Sequence, residues 1–476
     1  MGTMKDRYEN VLRFCERYMP LLTVGAFLAG VFIGEYSGFF TGLVNGAVTK
    51  FIDLYGYFAP VAIFLILAPS LGRTFRTPST GRFVLFFTWW YFVRKVLACV
   101  WACAFIAVVF RLPFLPHGVG SIGAAIAQTL STLGHMMVVS PYFWAMYLSV
   151  IAAVVSIKSK LLCSALENTL ETVEMSGKYF IPVIPIFMVA IGTYIQGLPA
   201  HLGEQMQLKA GMENLLQSFS IWGLQFNPRS PLGMIWVYVF GSLLVGLSCF
   251  IWHFALLMIT KLKVKRFSLK TYFLDYWVKV YPLLWSTSSE SIATPLNLYL
   301  VKKYAYWVNP MVRRFAVGVG SYMNINGTLI CVFVLGAMVF SLLGIPVSTV
   351  EWLLAIPMIV LISYGVPGIP GELVLFAGPI ATMLNLPPAI QPVFIAVYVG
   401  LQIGLPDSFR TGNNSTDNYV CSILLNEIYD QKFKVPGEVP EVEEPETELP
   451  GDLEPAYLAS STEGLGDYSQ PPAARA

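Results

Sequence analysis

Charge is scarce in this chain. Only 12% of its 476 residues are Asp, Glu, Lys or Arg, against roughly a quarter in soluble domains. A soluble protein of that composition could not cover its core. The seven cysteines, at 15, 99, 103, 163, 249, 331 and 421, form no CxxC pair, so neither a disulfide framework nor a zinc site is implied. They read as small apolar packing residues. The four histidines stand apart at 117, 135, 201 and 253; His253, inside an apolar run, reads as a packing histidine with its nitrogens satisfied. There is no HExxH, no phosphate loop and no nucleophile beside a paired base, so the chain is not expected to be an enzyme. Nothing points to nucleic acid.

What the chain has is hydrophobic length. It is 56% apolar, with a mean hydropathy of +0.64. Runs able to cross a hydrocarbon core, which takes about 20 helical residues, recur from Met19 onward. The first, centred on Leu21 to Ile33, follows an amphipathic start carrying Lys5, Arg7, Arg13 and Arg17. That start resembles a secretory signal, but no cleavage site leads into a soluble domain, so a retained helix is expected. Ten of the 28 carboxylates lie between Glu438 and Asp467 beside one arginine, Arg475; without them, 29 basic residues face 18 acidic ones. Residues 436–476, rich in Pro, Glu, Gly and Ser, cannot bury enough apolar surface to fold and read as a disordered acidic tail.

Lys and Arg favour the cytoplasmic ends of short loops. Basic loops at the amino terminus, Arg73 to Arg82, Lys158 to Lys160 and Lys261 to Lys270 alternate with poorer ones near 37–43, 112–121 and 199–228. This places residues 1–18 inside and predicts six transmembrane helices within 19–260, near 19–36, 44–71, 83–110, 122–157, 179–198 and 232–260. Alternation then fails. Lys302, Lys303, Arg313 and Arg314 follow after one interrupted segment, whose middle, Trp285-Ser286-Thr287-Ser288-Ser289-Glu290-Ser291-Ile292-Ala293-Thr294-Pro295, cannot be a lipid-facing helix. Irregular backbone survives at membrane depth only against protein or a wet cavity, so 270–300 reads as a re-entrant hairpin. Residues 310–344 read as a broken seventh helix, and 350–388 as a second hairpin entering from outside, with its turn at Gly365-Val366-Pro367-Gly368-Ile369-Pro370-Gly371. Residues 389–430 read as an eighth helix returning the tail to the cytoplasm. The fold class expected is an all-α polytopic membrane protein of eight transmembrane helices and two re-entrant helical hairpins. Two interrupted segments, one from each face, point to an inverted-repeat transporter with a midplane site.

The densest polar run lies in the last span. Asp407, Arg410, Thr411, Asn414 and Asn418 recur at three- and four-residue spacing and share one helical face. Arginine's planar fork matches a carboxylate, and Asp407 one turn earlier suits an ammonium. Together they describe a receptor for a small zwitterion with an extra acid; the alternative is an Asp407–Arg410 pair that neutralises itself. Asn324-Ile325-Asn326-Gly327-Thr328 in the seventh helix suggests local unwinding, whose freed carbonyls and amide oxygens suit sodium. A packing kink is the other reading.

In order, these features resemble the dicarboxylate/amino acid:cation symporter family, the glutamate and aspartate sodium symporters, over nearly the whole chain to about Lys434. The serine-rich tip Ser288-Ser289-Glu290-Ser291-Ile292-Ala293-Thr294-Pro295 is similar to the family's first hairpin. Asn324 to Thr328 resembles its Asn-Met-Asp-Gly-Thr motif, Gly365 to Gly368 its Gly-Val-Pro-Gly tip, and Asp407, Arg410, Thr411 and Asn414 its Asp-x-x-Arg-Thr-x-x-Asn signature. The resemblance implies a homotrimeric, elevator-type symporter in the plasma (inner) membrane, with a small acidic amino acid as substrate, the bilayer as surroundings, and no cofactor beyond sodium or a proton as coupling ion. It implies that Arg410 holds the side-chain carboxylate and Asp407 the amino group. Thr328, Asn414 and Thr411 would orient the substrate, and Ser289, Glu290, Ser291, Val366 and Gly368 would line the gates.

The departures concern coupling. Two family sodium-ligand acids are Asn326 and Asn418 here, with Asp417 one place early. Tyr91 matches a sodium-site tyrosine, whereas Arg94 and Lys95 stand where small hydroxyl residues belong. Either a fixed cation replaces sodium, or these side chains snorkel away from the site. Glu290 is a candidate proton carrier, or lies at the tip in water; Glu372, beside the second turn, carries the same ambiguity. A C4-dicarboxylate carrier, a member with proton or sodium-independent coupling, and a channel-like or sensory protein remain the competing readings.

Overall fold

The computed structural model describes residues 4–44, 81–116, 122–139, 141–169, 216–228, 230–288, 290–366, 371–402 and 404–433, with scattered positions between 46 and 72 and between 182 and 193. Most of the expected second and fifth spans, Gly368, Ser289 and the tail 436–476 lie outside them, as does the side chain of Ser291.

The described chain is mostly helical. Among the described residues two helices are long and apolar enough to cross a membrane, Leu85–Val109 and Leu232–Lys263, and a bent pair near the end makes a third if taken as one span. The 25 residues of the first rise about 37 Å, more than a hydrocarbon core of about 30 Å requires. Both present apolar side chains outward: Leu85, Trp89, Leu97 and Val108 on one, Leu232, Trp236, Leu243, Phe250 and Phe254 on the other. Such faces suit lipid, not water. With this helical, apolar build the chain is an integral membrane protein. Within the stretch expected as a span near 122–157 the described helices are Ile122–Val139 and Pro141–Ser156, with residue 140 outside the described residues. The connection expected near 199–228 holds a two-strand hairpin, Phe219–Ile221 with Leu224–Phe226, turning on Trp222 and Gly223, both at positive φ.

The interrupted segments are interrupted in the structure. In the first, Tyr272–Trp277 is π-helical, Val278–Thr287 is α-helical, and Ser288 stops it in the left-handed conformation (φ +49°) before Glu290–Tyr304 begins. The two arms pack on one another. In the next, Pro310–Arg313, a π-turn over Arg314–Val319 and Gly320–Met323 end at Asn324 and Ile325, both out of helical geometry, and Asn326–Leu342 resumes. In the third, Ser348 caps Thr349–Ile362 through a reciprocal bond pair with Glu351, Ser363–Gly365 tightens to 3₁₀, and Val374–Met383 returns.

The last segment is also broken. Gln391–Gln402 and Leu405–Lys432 meet at 66° around Gly404. Glycine is required there for two reasons: φ is +89°, and a Cβ would collide with the Tyr238 hydroxyl and lie 2.7 Å from Thr23 Oγ1. Leu405–Lys432 is the hub. It packs against Pro231–Lys263, both arms of the first hairpin and Asn326–Leu342, and from Pro406 to Asn426 every residue but Phe409 is buried. A polar helix enclosed on all sides must satisfy its side chains internally.

Candidate functional site

The last helix, which starts after the break at Gly404, meets residues of the other three interruptions in its first turns, through Ser288 on Ser408, Gly327 on Asn414 and Gly371 on Asp407, so backbone and side-chain polar groups converge there. Asp407, Arg410, Thr411 and Asn414 line its inner face. Opposite them, Asn326–Leu342 begins with Gly327 so close that a Cβ at 327 would lie 2.5 Å from the Arg410 carbonyl oxygen. That approach lets the Gly327 N–H donate to Asn414 Oδ1 at 2.6 Å and places Thr328 against Arg410.

Arg410 is wholly buried, and all three guanidinium nitrogens are engaged. Nε donates to Asp407 Oδ1 at 2.6 Å and Nη2 bonds the same carboxylate; Nη1 donates to Thr328 Oγ1 at 2.9 Å and to Glu372 Oε1. The Thr328 hydroxyl donates to Glu372 Oε1 at 3.2 Å and accepts from Asn414 Nδ2 at 2.9 Å. Asn414 Nδ2 also donates to Glu290 Oε1 at 2.9 Å. Gly371 N–H donates to Asp407 Oδ2 at 3.0 Å. One cation therefore faces two carboxylates directly and a third through an amide. The internal Asp407–Arg410 pair exists, but it does not close the account, because Glu372 adds a second acid to the same fork. Glu290 Oε2 and Thr411 Oγ1 are buried without a hydrogen-bond partner among the described residues.

A second cluster lies on the next turns of the same helix. Arg94 Nη2 donates to Asp417 Oδ2 at 2.8 Å, and Nη1 donates to Asn324 Oδ1 at 3.0 Å and to Cys421 Sγ. Its guanidinium lies 4.8 Å from the Trp90 ring centre. The other Asp417 oxygen meets His253 Nδ1, whose Nε2 bonds the Tyr272 hydroxyl. Asn324 Nδ2 donates to Asn418 Oδ1 at 2.9 Å and to the Asn414 carbonyl at 3.1 Å, and Asn326 Nδ2 donates to Asn324 Oδ1 at 2.9 Å. Tyr91 donates to the Ala316 carbonyl at 3.3 Å, in the π-turn. Oxygens that would otherwise suit a hard cation are already taken by a guanidinium, so this donor set does not fit a sodium ion between Asn324 and Asp417. Arg94 does not snorkel away.

Lys95, one residue on, turns to the second hairpin. Its ammonium lies 3.5 Å from the Tyr364 ring centre and 3.5 Å from the Ser363 carbonyl oxygen, where Thr349–Ile362 ends. A positive charge at a helix C-terminus is favourable.

Of the residues singled out by sequence, Arg410, Asp407, Thr328, Asn414 and Glu290 come together in the first cluster, with Thr411 beside them. Asn324, Asn326, Asp417, Asn418, Tyr91 and Arg94 gather around the second. Val366 is buried where the second hairpin's first arm ends. His253 has both nitrogens satisfied, as a packing histidine should, yet one partner is Asp417. Glu372, which the sequence offers as a proton carrier or as a group in water beside the turn, sits on Arg410. The signal was present: it is one of two charged residues between Phe315 and Pro406, and a lone intramembrane acid is a functional candidate by default.

Residues 226–428 match the family model of the Sodium:dicarboxylate symporter family. The resemblance carried by the motifs is thereby shown over that stretch, which spans both hairpins, the broken helix, the first polar cluster and the second apart from Tyr91 and Arg94. No curated protein matches the chain.

Proposed function

From a chain whose residues 226–428 are those of a membrane symporter family, we propose a secondary active symporter that moves an acidic amino acid, glutamate or aspartate, across the plasma membrane. The observation that carries this reading is Arg410, a buried fork reachable from both broken hairpins, set among Asp407, Thr328 and Asn414. A carboxylate is the group whose geometry matches such a fork. The proposed mechanism is an elevator motion within a homotrimer, the hairpin tips acting as gates and both termini facing the cytoplasm. Arg94, held between Asn324 and Asp417, supports coupling that does not use a sodium ion at that position; a proton is the remaining coupling ion of the right charge.

A C4-dicarboxylate carrier is the second reading. Both Asp407 oxygens are engaged, one by Arg410 and one by Gly371 N–H, leaving less of that carboxylate for an ammonium than the first reading asks. Uptake into proteoliposomes, comparing glutamate, aspartate and succinate under separate sodium and proton gradients, tests both. Accumulation of an amino acid against its gradient supports the first, accumulation of succinate alone the second. Purely downhill flux of all three overturns coupled transport.

A further inference from the structure

We propose that Glu372 is a tethered stand-in for a substrate carboxylate: it occupies Arg410 in the empty site, latches the second hairpin shut, and must be displaced or protonated when substrate binds. The inference rests on the reading of Arg410 as the substrate anchor.

Glu372 Oε1 receives hydrogen bonds from Arg410 Nη1 and the Thr328 hydroxyl, the two donors that an incoming carboxylate would use. The donors are finite. A guanidinium offers five N–H groups, and here Nε and Nη2 are turned to Asp407 while Nη1 serves Glu372 and Thr328. These bonds use four of the five N–H groups, so a further carboxylate cannot take two parallel bonds from the fork while Glu372 stays and would lie beside two acids; substrate and Glu372 compete for one place. The competitor is attached to a gate. Gly371 N–H bonds Asp407 Oδ2 and the next residue bonds Arg410, so two consecutive residues of the hairpin's returning arm hold Asp407 and Arg410 of the last helix. Releasing one loosens the other.

The surroundings bear on how Glu372 yields. Facing it are Arg410 and Asp407 from the last helix, Cys331 from the broken helix and Glu290 from the first hairpin, with Lys95 beyond Glu290. Glu290, Glu372 and Asp407 outnumber Arg410 before any substrate acid arrives. Taking a proton from the medium removes one negative charge and turns Glu372 from an acceptor into an O–H donor, which can then bond the substrate carboxylate instead of repelling it. One proton would enter with each substrate. Swinging out as a carboxylate would admit substrate without that proton.

The test compares purified wild type with Glu372→Gln and Glu372→Asp. Binding of aspartate, glutamate and succinate is measured by calorimetry between pH 5.5 and 7.5, and hydrogen exchange across residues 349–383 is measured without substrate. The proposal expects wild-type affinity to rise by up to about tenfold per pH unit of acidification, the limit for one linked proton. Glu372→Gln should bind about tenfold or more tighter at pH 7.5, lose the pH dependence, and exchange about tenfold faster in the hairpin; Glu372→Asp should keep the pH dependence. If Glu372→Gln binds no tighter and its hairpin exchanges as in wild type, Glu372 is a structural ion pair and the proposal fails. Tighter but still pH-dependent binding refutes the proton and keeps the displacement. If wild type binds and transports none of the three compounds, the parent reading fails instead, and hairpin exchange alone decides the latch.

Discussion

Removing Arg94 should both destabilise the protein and create a cation site that the wild type lacks. In Arg94→Ala the Asp417 carboxylate stays fully buried and loses its guanidinium partner, a bond of 2.8 Å, while Asn324 Oδ1 loses one of its two donors. Breaking a buried ion pair costs about 3–5 kcal/mol. His253 still holds the other Asp417 oxygen, so the low end applies, about 3 kcal/mol, or roughly a hundredfold in the folding equilibrium. For a chain of this size that is a fall in melting temperature of about 3–6 °C, read from thermal unfolding of purified protein in choline buffer. The double variant Arg94→Ala, Asp417→Asn should recover part of the loss, with a coupling of about 1–3 kcal/mol. The variant also leaves the Asp417 carboxylate and the Asn324 amide oxygen facing a space once filled by a guanidinium, hard oxygen donors that suit sodium. Sodium at ten times its dissociation constant should return about 1.4 kcal/mol to the variant, and nothing to the wild type. Unchanged melting of Arg94→Ala in choline, or equal stabilisation of both proteins by sodium, would refute the argument that Arg94 replaces the ion.

Other outcomes follow from the same geometry. Replacing sodium by choline in the uptake medium should leave wild-type uptake standing at some pH; collapse at every pH would show that a sodium ion is indispensable. Arg410→Ala should lower uptake of acidic substrates by about two orders of magnitude or more, since charge-assisted bonds to the substrate disappear, without shifting the elution volume from that of wild type on size-exclusion chromatography. Gly404→Ala must place a side chain at φ +89° against Tyr238 and Thr23; a loss of about 1–3 kcal/mol from the backbone alone should appear as a lower melting temperature, and a wild-type melt would mean that the bend at 404 is not needed.

Much of this arrangement was legible in the chain because intramembrane polarity is rare. The spacing of Asp407, Arg410, Thr411 and Asn414 put them on one face before any coordinate existed, and Asn-Ile-Asn-Gly-Thr announced an unwound turn because amides flanking glycine make poor helix interior. What periodicity could not announce was partnership. Glu372 lies 38 residues from Arg410, and nothing local says that a hairpin's returning arm will bring it there. The break at Gly404 was hidden for a related reason: a glycine within a long apolar-to-polar run reads as tolerated, and only the close approach of Tyr238 and Thr23 shows that it is required.

The displaced aspartate shows how one residue step can change the chemistry of a site without changing its scaffold. On an α-helix each residue turns the side chain by about 100°. Asn418, at the position where the family carries an acid, keeps to the Asn324 amide. Asp417, one step earlier, points instead to Arg94 and His253. The shift therefore moves the negative charge away from the amide pair and onto a side chain able to neutralise it permanently. Arg94 and Asp417 depend on each other: without Arg94 the carboxylate would need an ion, and without Asp417 the guanidinium would be an unpaired charge in an apolar core. Asn324 carries the arrangement onward, because its amide accepts from Arg94 and donates to the carbonyl of Asn414, whose own side chain holds Glu290 and Thr328. The fixed cation and the carboxylate fork are thus two ends of one hydrogen-bonded chain. A resident guanidinium can set the geometry of the fork, but it cannot arrive and leave with the substrate as an ion does.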